Sequence, residues 1–121
     1  MITSKLAPAE AVRTDSPERL TLIRSMLRTE LTTTLALAET CRSTVAELTG
    51  EFDIDSVMDR EIAEASATRA DQAVADIHWA LDRLANGTYG TCDLCEDQIP
   101  QERLDAIPYA RWCVPCSRLR S

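Results

Sequence analysis

Four of the five cysteines of this 121-residue chain fall in its last quarter, as two Cys-x-x-Cys pairs with seventeen residues between them. The pairs are Cys92–Cys95 and Cys113–Cys116. Two residues between thiols allow one tight turn to aim both sulfurs at one point. Two such turns at this separation match the spacing of a four-thiolate zinc site. The neighbours suit that geometry. Gly90 precedes the first pair, Pro115 stiffens the second, and Pro100 is placed to open a short helix, "PQERLDA", that Pro108 ends. Four sulfur ligands fill a tetrahedral sphere and leave no position for substrate, so the expected cofactor is one structural Zn2+. In a segment of about 30 residues such a metal supplies folding energy that a small core does not. A pair of redox dithiols is the competing reading. No basic residue or histidine lies within either Cys-x-x-Cys to lower a thiol pKa, and Asp93 beside Cys92 would raise it.

The rest of the chain reads as helix. Ser16 is a helix N-cap, with Pro17 at the first helical position and Glu18 at the positive end of the dipole. Leu20, Ile23, Leu27, Leu31, Leu35, Ala38, Cys41, Val45 and Leu48 then recur at steps of three and four, before Gly50. A second seam runs through Met58, Ile62, Ala65, Ala70, Ala73, Ile77, Leu81 and Leu84 to Asn86–Gly87, with Asp53 or Asp55 as its cap. Helices are therefore expected over about 17–49 and 54–86, each roughly 50 Å long at 1.5 Å per residue. A short connection makes them antiparallel. The predicted fold is all-α dominated: a tail or short helix over 1–16, a long antiparallel helical hairpin (a coiled coil) over 17–86 with its tip near 50–56, and a zinc-finger module over 87–121.

Composition narrows the function. Aromatic residues make up 4% of the chain and its formal charge is −7. Residues 51–86 carry nine acidic and three basic side chains, whereas residues 1–50 are balanced. Without a basic stripe the chain lacks the electrostatic footprint of a direct nucleic-acid binder. No run of eighteen apolar residues spans a membrane, and nothing near Met1 resembles a signal peptide, so a cytoplasmic protein is expected. Cys41 falls on the first seam and reads as packing; His78 reads as helix surface, and Trp79 as packing on the tail or the zinc end. The Ser and Thr residues have no His–Asp partners and there is no Gly-rich phosphate loop, so no enzyme is visible.

The motif "G-T-Y-G-x-C-x-x-C", then "I-P-x-x-R-L-x-A-x-P", then "C-x-x-C", behind a long hairpin, resembles the DksA/TraR family of bacterial RNA polymerase-binding regulators. The match is specific over residues 83–116 and general from about residue 17. The resemblance implies that the zinc module and hairpin base dock on bacterial RNA polymerase at its secondary channel. It implies that an acidic tip reaches toward the active centre and modulates initiation without contacting DNA. The family's tip pattern, D-x-x-D-x-A, falls on "SVMDRE". Asp59 fits the second Asp, Ser56 replaces the first and Glu61 replaces the Ala, while Asp55 stands one position out of register. Asp55 and Asp59 are thus the expected tip residues. Some members bind (p)ppGpp through basic residues at positions that correspond to Asp76, Ile107 and Ser117, so that alarmone is not expected to bind here. A monomer is expected. The alternative class is a zinc-stapled helical adaptor, or a thiol-redox sensor, for another protein partner.

Overall fold

The computed structural model describes residues 16–120. It comprises α1 (Pro17–Leu48), α2 (Ile54–Asn86), α3 (Gln101–Ala106) and α4 (Val114–Arg120). The tail expected over 1–16 lies outside the described residues except for Ser16. That residue caps α1: its Oγ accepts a 3.1 Å hydrogen bond from the Arg19 amide, satisfying one of the donors a helix start leaves open. Of the two cap candidates for α2, Asp53 takes the role, its carboxylate accepting from the Ser56 amide at 2.9 Å. That backbone donor holds the Asp53 carboxyl below its ordinary range. α2 ends at Gly87, whose φ of 78° is the left-handed conformation that glycine adopts without strain. The amide of Thr88 then returns to the Arg83 carbonyl at 2.9 Å.

The five residues 49–53 join α1 to α2, and the helices run antiparallel as a hairpin. Their contact stripe is built from Ile23, Leu27, Thr34, Ala38 and Cys41 on α1. On α2 it uses Ala63, Ala67, Ala70, Ile77, Ala80 and Leu84. Toward the base this is the expected seam. Toward the tip it departs. Leu35 is 47% exposed and Thr34 is buried in its place. Met58 and Ile62 are exposed, as is Ala65, while Ala63 and Ala67 are buried. The reason is helical phase. Steps of three and four back from Leu84 through Ile77 and Ala70 arrive at Ala63, and Ile62 stands one residue, or about 100°, away from it. The largest apolar side chains of the tip half do not lie on the continuous stripe.

Packing is consequently uneven. Near the base, Ile23, Leu27, Ile77, Ala80 and Leu84 form a buried cluster, flanked by Trp79, Tyr89 and Tyr109. Burying a side chain such as Leu27 or Ile77 contributes about 1.5–3 kcal/mol. Beyond Ala70 the interface is mainly alanine, which buries little area but lets two helices approach closely. Among the described residues, no helix is long and apolar enough to cross a membrane.

Candidate metal centre at the base of the hairpin

The chain leaves α2 at Gly87 and turns directly into the cysteine-bearing segment. Gly90 has a φ of 89°, and its carbonyl accepts from the Ile99 amide at 2.7 Å. Thr91 and Gln98 form an antiparallel bridge, and the Cys92 amide donates to the Asp97 carbonyl at 2.8 Å. The chain therefore folds back on itself around Cys92 and Cys95. Closing this turn takes Glu96 to a φ of 65°, the only non-glycine residue at positive φ among the described residues. The second pair sits at the start of α4, where the Ser117 amide donates to the Cys113 carbonyl at 2.8 Å. Pro115 lies in the first turn of that helix, where its missing N–H leaves no bond unmade.

Two contacts hold the turns together. The Asp93 amide donates to the Arg111 carbonyl at 2.9 Å, and the Cys113 amide points at Cys92 Sγ at 3.4 Å. All four Sγ atoms lie within 4.8 Å of one another. Cys95 Sγ and Cys113 Sγ are 3.7 Å apart, which matches the roughly 3.8 Å edge of a tetrahedron with 2.3 Å Zn–S bonds. Cys92, Cys113 and Cys116 are buried, and Cys95 is half-buried. Buried Ile99, Leu104 and Ala110 form a small core around them. The four cysteines are able to bind one zinc ion.

The electrostatics fit a cation. Burial pushes the Cys92 thiol up, but the amides of Cys95, Cys113 and Leu94 outweigh it and bring it down to about 6. Cys116 is pushed up to about 12, first by its hydrogen bond with Cys113 and then by burial. Thiolates packed this closely resist ionising together, and a divalent ion among them supplies the charge that stabilises all four.

The module is fastened to the rod by side chains that sequence reasoning only partly identified. Tyr89 packs against both the module core and the hairpin-base cluster, and its hydroxyl donates to the Pro108 carbonyl at 2.8 Å. Arg103 Nε donates to the Trp112 carbonyl at 2.9 Å. Trp79 does pack at the zinc end, with the guanidinium groups of Arg83 at 4.8 Å and Arg111 at 5.2 Å from its ring centre. Arg83 also reaches Asp93 at 3.7 Å. Arg111 Nε stands 3.2 Å from Asp76 Oδ1. This Nε is buried and makes no aligned hydrogen bond, so its contact with Asp76 is an ion pair. Burial, then the Glu30 and Asp76 carboxylates, push the Tyr109 hydroxyl above its ordinary range. Arg111 was missed because nothing in its spacing marks it. Its one sequence signal is a cation set just before Trp112–Cys113, in a chain whose second helix is acidic.

The remaining residues singled out from sequence lie elsewhere. His78 is exposed on α2 and outside the sulfur cluster. Cys41 is buried in the α1 stripe. Asp55 and Asp59 are exposed at the other end of the rod, in the first two turns of α2. Four positions apart, they share a helix face.

Residues 87–120 match the family model of the prokaryotic dksA/traR C4-type zinc finger. An uncharacterized protein of Aquifex aeolicus (strain VF5) is 45% identical over 42 residues, 35% of this chain and 29% of that protein. General stress protein 16O of Bacillus subtilis (strain 168) is 34% identical over 65 residues, 54% of this chain and 37% of that one. The matched stretches thus span less than two fifths of either relative. Among solved structures, the transcription factor DksA2 from Pseudomonas aeruginosa is similar with a TM-score of 0.68 at 22% identity, over 87% of this chain and 84% of that one. Residues 87–120 are thus similar to the prokaryotic dksA/traR C4-type zinc finger, set at the base of a helical hairpin whose fold is similar to that of DksA2.

Proposed function

We propose that the protein is a transcription regulator that binds bacterial RNA polymerase at its secondary channel. The observation that carries this reading is the combination of a finger similar to that of dksA/traR with a hairpin similar in fold to DksA2. In this reading the zinc module and hairpin base anchor the protein, and the rod carries its tip toward the active centre. The shape suits a channel: two helices of about 10 Å diameter packed side by side make a rod about 20 Å wide. The charge suits it too. Six acidic residues and one Arg lie between Glu51 and Glu64, and none of the six forms an ion pair among the described residues. Asp55 and Asp59 are the proposed tip residues. The protein acts as a cytoplasmic monomer on polymerase, without touching DNA and without catalysis of its own.

The alarmone (p)ppGpp is not part of this mechanism. At the position where a basic residue would meet it stands Asp76, which accepts a hydrogen bond from Gln72 at 3.0 Å and is already paired with Arg111. A polyanion gains nothing from that carboxylate.

The test is competition. Zinc-loaded protein is expected to bind bacterial RNA polymerase saturably and to be displaced by a known secondary-channel factor. Absence of such binding overturns the proposal. The Asp59→Ala variant is expected to bind nearly as well but to shift initiation several-fold less. If it loses binding, the division between anchor and tip is wrong. An alarmone response at this interface that disappears with Asp76→Ala would contradict the reading of Asp76.

A further inference from the structure

The tip half of α2 is packed inside out. Its buried side chains are Ala63, Ala67 and Ala70, while Ile54, Met58 and Ile62 face solvent at 69%, 52% and 62% exposure. Phe52, the only phenylalanine of the chain, stands on the turn beside them at 87%. A hairpin built only for its own stability would bury isoleucine and methionine and leave alanine outside. Spaced four apart, Ile54, Met58 and Ile62 advance by about 40° per step, so they form one narrow stripe along the helix. By the same geometry the alanine seam lies about 150° away from it. The stripe therefore faces away from α1.

Acidic residues border the stripe on both sides. Asp55 and Asp59 follow Ile54 and Met58 on one flank, and Glu61 precedes Ile62 on the other. We propose that Ile54, Met58 and Ile62, with Phe52 at the turn, form a docking stripe that enters an apolar, basic-edged cleft of RNA polymerase; this rests on the polymerase reading above. The charge pattern selects the occupant. A second copy would bring its own acidic flanks against these, with nine acidic and three basic residues over 51–86 of each chain. A cleft with an apolar floor and Lys or Arg at its rim meets both features together. The apolar stripe adds affinity to that of the zinc module and hairpin base, and the acids beside it supply register.

The experiment compares the full chain with the triple variant Ile54→Gln, Met58→Gln, Ile62→Gln. All three positions are exposed and glutamine keeps helix propensity, so unchanged helicity and zinc content are the control. The expected result is at least a tenfold loss of polymerase affinity, with wild-type affinity falling as salt rises. Equal affinity of variant and wild type, both competed by a secondary-channel factor, overturns the docking stripe and leaves the proposed function standing. Salt-independent wild-type affinity overturns the basic edge. A wild-type dimer that the triple variant returns to monomer assigns the stripe to a second copy and overturns the proposal. Failure of the wild type itself to bind polymerase removes both readings together.

Discussion

Glu96 is the residue whose conformation its own chemistry least favours. It follows Cys95 and holds a φ of 65°, a region where an L side chain is crowded by its own backbone. The metal turn dictates that conformation, because the Glu96 amide donates back to the Cys92 carbonyl at 3.1 Å. Glycine takes it without strain, at the cost of more freedom in the unfolded chain. Glu96→Gly is therefore expected to stabilise the zinc-loaded module by up to about 1 kcal/mol, measurable as a higher melting temperature. An unchanged or lower value would mean that the Glu96 side chain contributes more than its backbone costs. The four cysteines were legible in the sequence because Cys-x-x-Cys spacing is itself a statement of geometry. Glu96 was not, since a non-glycine residue forced into the left-handed region leaves no mark in the sequence. Arg111 was equally hidden: its partners Asp76 and Trp79 are more than thirty positions away along the chain and come together only when the module folds back.

Among the helices, stability is concentrated at the base. Ile77 is fully buried in the same cluster as Leu27, so Ile77→Ala is expected to cost about 2–5 kcal/mol, from lost transfer energy and the cavity left behind. Denaturant unfolding followed by helical circular dichroism measures it. A cost under about 1 kcal/mol would indicate that the base collapses around the smaller side chain. The boundaries of α1 and α2 were legible because their ends are chemical: Ser16 and Asp53 as caps, Gly50 and Gly87 as stops. The seam was legible from Leu20 to Leu27 and from Ile77 to Leu84, where large apolar residues coincide with the helical phase, and at Ala38, Cys41 and Ala70, where small ones do. Near the tip the two criteria separate. There the phase selects Thr34 and Ala63, whereas size selects Leu35 and Ile62.

At the scale of the whole molecule, metal and rod are coupled through shared side chains. Tyr89 belongs to both hydrophobic clusters, so removing zinc is expected to unfold the 87–120 segment and loosen the base of the hairpin. Chelation should lower the melting temperature and weaken amide protection around Ile23 and Ile77; a rod indifferent to chelation would refute the coupling. The pH dependence has a definite sign. Metal ligation requires thiolates, so protons compete with zinc and retention falls as pH falls. Cys92, with its pKa brought down to about 6, is the ligand that keeps its charge furthest into acid. Zinc retention should therefore fall as pH is lowered from neutral, which a zinc-sensitive dye would follow directly; retention indifferent to pH would contradict thiolate ligation.

The joint between module and rod is also a pivot. Gly87 and Thr88 are the only residues between the end of α2 and Tyr89, and the Arg83–Asp93, Arg111–Asp76 and Arg19–Asp105 pairs tie the rod to the module there. The lever arm beyond it is about 50 Å, so a tilt of about 5° at the joint carries the tip sideways by about 4 Å, as far as the reach of one side-chain contact. Ion pairs at one end of the molecule thus help to fix the position of the other end, and a substitution at Arg111 or Asp76 can displace the far end of the hairpin without touching it.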